Sequence, residues 1–329
     1  MQISISGRLR IFPTLLILAA LSLMTSVMSS LLFGELILPL VAAALAALFV
    51  LERGRVRVLS IVAPIFMIAA DVLFRGSLSY LALEAVALAI IIALFFLRGS
   101  KAECAFWLTL TVTLFIILAM VMAAYSATKL LDLDSFFDYY YGLYRQIEDW
   151  FVETFASVSL LFGIPAEEAD ATVAASILRT MASVLPSVAI VFAFAVGGVA
   201  LKIFSGILKL VCDEESEKKI AAWRFALPKT VYVAFWAALV LNLVLGLIGS
   251  AGVFAVAVAN VYNVLLYVFA YLGFGAVVAF LSALFKSRPL AILAVVGSLL
   301  VFNSLAIDLI SYFGASFVFF AGRAHGGEK

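Results

Sequence analysis

Ionisable side chains are scarce inside the long apolar runs of this sequence, so each one asks for a reason. Asp71 and Arg75 stand four residues apart, on one face of a helix. Glu84, Arg179 and Asp308 interrupt three other apolar runs. A charge in hydrocarbon is costly, and such residues mark ligand or ion paths or pair with one another. If the runs cross a bilayer, all of these residues share one depth near the same surface. Snorkelling and local ion pairs account for Asp71, Arg75 and Asp308. Glu84 and Arg179 lie somewhat deeper, about two turns in from that surface. A pairing between them would be either structural or ligand-facing.

Asparagines and tyrosines make a second set. Asn260, Asn263, Tyr267 and Tyr271 are spaced 3, 4 and 4, a polar stripe along one helix face. Asn242 and Asn303 lie in neighbouring runs that would meet it. Asn side chains hold membrane helices together by hydrogen bonds. The same amides and rings would suit a polar, partly planar ligand. The candidate ligand-binding set is therefore Glu84, Arg179, Asn260, Asn263, Tyr267, Asp71 and Asp308.

Catalytic signatures do not occur. The sequence has no phosphate-binding GxxxxGKS/T, no zinc-binding HExxH and no GxSxG. The single histidine, His325, sits in a polar tail, and Cys104 and Cys212 form no paired motif. Asp71 and Asp308 lie too near the surface, and without a supporting motif, for intramembrane aspartyl proteolysis. The expectation is a protein that is not an enzyme and carries no metal or cofactor. An ATP-driven role would need a separate ATPase subunit.

The elements that position these residues follow from composition. The 329 residues are 66% hydrophobic and 12% charged, with mean hydropathy +1.23. Soluble domains are nearer half apolar and a quarter charged. The net charge of +1 leaves no electrostatic footprint for nucleic acid. The implied partner is the lipid bilayer, and the implied fold is an all-α polytopic transmembrane bundle.

Apolar runs near 11–33, 35–51, 58–74, 78–97, 104–125, 172–207, 230–250, 256–285 and 289–312 predict eight or nine spans. The runs at 35–51 and 58–74 are short. The first run follows arginines as a signal peptide does, but its length and the absence of a clear cleavage site predict a retained helix. Three regions result: N-terminal spans over 1–126, an external segment over 127–171, and C-terminal spans over 172–329 with a loop at 208–229. Pro186, with Gly197 and Gly198, would permit a bend in the sixth span. Ala43 and Ala47 suit close helix packing.

Lys and Arg fix the expected orientation. Arg8, Arg10, Arg53, Arg55, Arg57, Arg98, Lys101, Lys209, Lys218, Lys219, Arg224, Lys229, Lys286 and Arg288 all fall on one side if the spans alternate. That side is the cytoplasm and includes the N-terminus. The segment 130–170, with nine acids and one base, Arg145, falls outside. The side of the C-terminus stays open.

Within that segment, "SFFDYYYGLYRQIEDWF" predicts a helix over 135–155. Phe137, Tyr140, Tyr144, Ile147, Phe151 and Phe155 form one face, and Asp134 or Ser135 would cap its start. Its acidic polar face argues against attachment to anionic lipid. It is either an interfacial connector or a lid over a site, with Phe137, Tyr140, Tyr144 and Phe151 as lid residues. The loop 208–229 ends with Trp223, Arg224 and Pro228, which fit either a membrane anchor or a docking point for a partner.

Two stretches carry a family resemblance. "WRFALPK" (223–229) enters a span, and "NVYNVLLYVFAYLGFGAVVAFL" (260–281) places Asn260 near a span start and Gly273 and Gly275 in its middle. Over most of the chain the layout resembles the YybS-like family of predicted bacterial membrane proteins. That family is distantly similar to the substrate-binding membrane components of energy-coupling factor (ECF) transporters. The resemblance implies the bacterial cytoplasmic (inner) membrane, small-molecule uptake, and separate scaffold and ATPase subunits. It names no ligand residues, and this chain has more spans than the six-helix core of those components. The other class of reading is a structural or regulatory membrane protein acting through protein contacts.

Overall fold

The computed structural model describes residues 34–50, 62, 65, 69, 80–161, 171–211, 220, 227, 229–249 and 252–326. Among these residues the regular elements are all α-helices. They are α1 (Gly34–Val50), α2 (Tyr80–Arg98), α3 (Lys101–Thr128), α4 (Leu133–Leu161), α5 (Ala171–Val211), α6 (Lys229–Leu247), α7 (Val253–Phe285) and α8 (Arg288–Gly326).

Among the described residues five helices are long and apolar enough to cross a membrane, which is fewer than the eight or nine spans expected of the whole chain. Their apolar windows are Leu81–Arg98, Lys101–Thr128, Val173–Lys209, Thr230–Leu247 and Val253–Phe285. The expected span at 11–33 lies outside the described residues, as does nearly all of 58–74. The run at 35–51 becomes α1, whose 17 residues reach about 25 Å, short of a ~30 Å hydrocarbon core. The run at 289–312 falls within α8, where the apolar stretches Arg288–Phe302 and Leu305–Ser316 belong to one continuous helix. The longest element, α5, has 41 residues and reaches about 60 Å.

The chain divides into two compact units, Met1–Asp149 with Phe192–Ala226, and Trp150–Val191 with Leu227–Lys329. The division falls inside α4 and α5.

In the first unit the core is built from α1, α2, α3 and the later part of α5. Buried alanines recur on α1 and α2, which pack together, among larger buried residues such as Leu38, Leu45, Leu88 and Ile92. Ala42, Ala43, Ala46 and Ala47 are buried on α1, and Ala85, Ala89 and Ala93 on α2. The close-packing role expected of Ala43 and Ala47 agrees with that burial. Small side chains bring helix backbones near enough for dispersion to hold them, which lipid makes necessary. Farther along, the Phe96 and Phe204 rings meet edge to face at 5.2 Å. Gly99, at φ +82°, ends α2 in the left-handed conformation. Its N–H donates to Phe96 O at 3.1 Å, and that of Ser100 donates to Phe95 O at 3.2 Å. These bonds satisfy the last carbonyls of α2 and turn the chain into α3.

In the second unit α7 packs along α8, with α6 against α7. Val258, Tyr262, Leu266, Phe269 and Gly273 form the buried face of α7. The crossing with α8 is tightest at Gly273 and Gly314. A Cβ on Gly273 would collide with the Ile310 carbonyl, and one on Gly314 would sit 2.7 Å from Gly273 Cα. Ser311, fully buried, shares its hydroxyl proton between Ile307 O at 2.6 Å and Leu266 O across the crossing at 2.9 Å. Tyr262 and Tyr312 join through their hydroxyls at 3.0 Å. Phe235 of α6 contacts the Phe269 and Tyr312 rings at 4.7 and 6.1 Å.

Candidate functional site

Among the described residues Glu84 is the one acidic or basic side chain that is buried, at 1% exposure. The reason is its register. Leu81, Glu84, Ala85, Leu88, Ile92 and Phe96 share the face of α2 that packs into the first unit, and the flanking Leu88 and Ile92 are fully buried. The helix therefore carries a carboxyl group into the packed core of the first unit.

Arg179, on the third turn of α5, is exposed. Glu84 belongs to the first unit, while Arg179, Asn260, Asn263, Tyr267 and Asp308 belong to the second. Asp71 and Arg75 lie outside the described residues, and so does the side chain of Asn303. Tyr267 and Tyr271 are exposed, and Asn263 and Asp308 are half-buried. The polar stripe on α7 is thus a second face, next to the one that packs on α8.

Asn260 has a defined partner. Its Nδ2 donates to Ser183 O at 2.8 Å and to Val256 O at 2.9 Å, and its Oδ1 accepts from the Ser187 N–H at 3.0 Å. Both amide hydrogens are used, so no N–H remains for a ligand. The partners Ser183 and Ser187 flank Pro186 in α5. Here the asparagine bonds to the backbone of a neighbouring helix, as interhelical asparagines do.

The amphipathic segment forms α4 as expected, and it extends to Leu161. Its cap differs from the expectation. Asp132, rather than Asp134 or Ser135, precedes the first turn and accepts from the Ser135 N–H at 2.7 Å and the Ser135 hydroxyl at 2.9 Å. Those bonds hold the Asp132 carboxyl below its ordinary range. The covered face also differs. Tyr140, Tyr144, Phe151 and Phe155 are partly buried, but Phe137 is 63% exposed and Ile147 is exposed, with Phe136 turned inward in place of Phe137. Tyr140 donates to Met120 O of α3 at 2.9 Å, which ties α4 to the preceding helix. Arg145 lies 4.7 Å over the ring of Tyr141 and donates to its hydroxyl. Leu131, Leu133, Phe137, Tyr141 and Trp150 stay exposed.

Among the described residues no three His, Cys, Asp or Glu side chains gather where they would hold a metal ion. The sequence reading missed Ser311, Tyr312 and Gly314, which set the α7–α8 crossing. Gly314 lies in "SYFGAS", and only its small neighbours hinted at a crossing. In comparison with known proteins, no family model, no curated protein and no solved structure matches this chain.

Proposed function

We propose that this integral membrane protein is a transporter-type component that binds a small molecule, with Glu84 as the group that meets the ligand or its coupled cation. The observation that carries the reading is a carboxyl side chain at 1% exposure on the packed face of an apolar helix. Acidic residues buried within apolar spanning helices are rare and mark ligand or ion paths.

In this reading the chain crosses the cytoplasmic membrane of a bacterium eight or nine times, with its N-terminus inside. Support comes from the bases at helix ends: Arg98 and Lys101 beside one turn, Lys209 near the end of α5, and Lys286 and Arg288 beside another turn. Arg98 also lies 5.5 Å over the Phe95 ring, which stacks on Trp107, an arrangement suited to a membrane boundary. The YybS-like resemblance adds separate scaffold and ATPase subunits.

The test is thermal melting of the full chain in nanodiscs against a panel of water-soluble vitamins, amino acids and metal cations. At least one class should stabilise the wild type, and Glu84→Gln should lose that response while melting without ligand as the wild type does. Equal responses from both proteins would remove Glu84 from the site.

A second reading, a structural or regulatory protein, is favoured by the aromatic and aliphatic side chains that α4 leaves exposed. Cross-linking from α4 in intact cells separates the two. Transport ATPases and a scaffold coming down together support the first reading, and envelope or signalling proteins the second.

A further inference from the structure

We infer that α5 carries a hinge at Ser183–Ser187, latched by the side chain of Asn260 on α7. In an uninterrupted helix the Ser187 N–H would donate to Ser183 O, four residues back. Here a single primary amide stands between them. Ser187 N–H donates to Asn260 Oδ1 at 3.0 Å, and Asn260 Nδ2 donates to Ser183 O at 2.8 Å. The Asn260 amide thus bonds both backbone groups that such a helical bond would join.

Pro186 explains why the ladder opens at this place. Proline has no N–H to donate, and its ring crowds the carbonyl four residues back, at Ala182. The next bond along, from Ser187 to Ser183, is the one that Asn260 enters. The serines tighten the same turn. Ser183 Oγ donates to Thr180 O at 2.7 Å, and Ser187 Oγ to Val184 O at 2.8 Å. The remaining Nδ2 hydrogen goes to Val256 O at 2.9 Å, which fixes the amide plane against its own helix.

The environment makes this a two-state device. The break lies inside the apolar window Val173–Lys209, where an unsatisfied backbone group is strongly disfavoured. When the Asn260 side chain rotates away, Ser187 N–H and Ser183 O can be satisfied by meeting each other. The two arrangements are a latched, opened turn and an unlatched, reclosed turn. Both keep the backbone bonded, and they differ in the path of α5. The inference does not rest on the transporter reading.

The test uses the full chain in nanodiscs with Asn260→Val, Pro186→Ala and the double variant. Hydrogen exchange is read on peptides covering 184–190. Spin labels at Ile177 and Val199, both exposed on α5, report the distance distribution in a background with Cys104→Ala and Cys212→Ser. Asn260→Val should raise exchange in that segment by about 10-fold, the loss of roughly one net hydrogen bond, and should broaden or split the distance distribution. Pro186→Ala restores an N–H and frees the Ala182 carbonyl, so the double variant should exchange within about 3-fold of Pro186→Ala alone. If Asn260→Val does not fold, Asn260→Asp takes its place, keeping the size and one acceptor while removing both donors. Unchanged exchange and distances in the Asn260 variant overturn the latch. An effect of equal size with and without Pro186 overturns it too, because Asn260 would then be ordinary helix glue.

Discussion

In the first unit α1 packs on α2, and buried alanines recur over several turns of each, from Ala42 to Ala47 and from Ala85 to Ala93, among larger buried side chains. In the second unit α7 meets α8 at Gly273 and Gly314, with Ser311, Tyr262 and Tyr312 bonding beside them. Lipid tails are as apolar as leucine, so neither contact gains from leaving water. Each depends on close packing and on hydrogen bonds. The alanine contact spreads that dependence over many positions, and the glycine crossing concentrates it at one. Concentration sets the register of α7 on α8 sharply, and it leaves little tolerance for a larger side chain. The first unit is permissive enough to carry Glu84 within its packed face.

The most severe way to break this comparison is Gly314→Val against Ala46→Val. A side chain on Gly314 meets the Phe269 carbonyl and the Gly273 backbone, and backbone cannot rotate aside. We expect a loss of about 3 kcal/mol or more in reversible unfolding in mixed micelles, at the upper end for overpacking. Ala46 is also fully buried, but its contact is shared along the helix. Ala46→Val should cost about 1–2 kcal/mol. Equal losses at the two positions would show that the glycine crossing has no special weight.

A finer cut contrasts hydroxyls. Ser311 bonds across to Leu266 O, whereas Thr109 and Thr113 of α3 bond only to carbonyls four residues back in their own helix. Ser311→Ala should cost about 0.6–1 kcal/mol, the range for an interhelical bond in a membrane. Thr113→Ala should stay within about 0.5 kcal/mol, because a back-bonded hydroxyl joins nothing across helices. The same micelle unfolding measures both. A loss at Thr113 as large as that at Ser311 would move the second unit's specificity away from its hydroxyls.

The legible part of this structure was the part written in local period. Apolar runs gave the helices, and alternation of aromatics with acids gave α4. The alanines at 43 and 47 signalled contact without naming the partner. Phe137 was misplaced because Phe136 and Phe137 are neighbours about 100° apart on the helix, and the sequence alone does not say which side faces α3. Asn260 was visible as a polar residue in a span, but its role depends on Pro186, 74 residues earlier. No periodicity links those positions. Gly273 stood out in its span, yet its partner Gly314 came into view only with the crossing itself. Glu84 was visible as a charge, and its burial follows from which face of α2 packs inward.

The smallest expected effect falls on α4, outside the apolar helices of both units. Asp132 caps its first turn through Ser135, and the backbone N–H bond is the larger cause of its lowered pKa. A lowered carboxylate pKa means that the native state favours the charged form. The cap's contribution is therefore whole above the ordinary value of 3.8 and is lost as pH falls through the depressed native value. Hydrogen exchange in the first turn of α4, corrected for the intrinsic pH dependence, reads this directly. Asp132→Ala should exchange faster than the wild type at about pH 6, and the gap should narrow towards about pH 3 as the wild-type carboxylate protonates. A gap that persists unchanged at low pH would mean that the capping bond does not need the charge. The helix start would then be set by Tyr140 on Met120 and the turn at Lys129, with Asp132 following rather than fixing it.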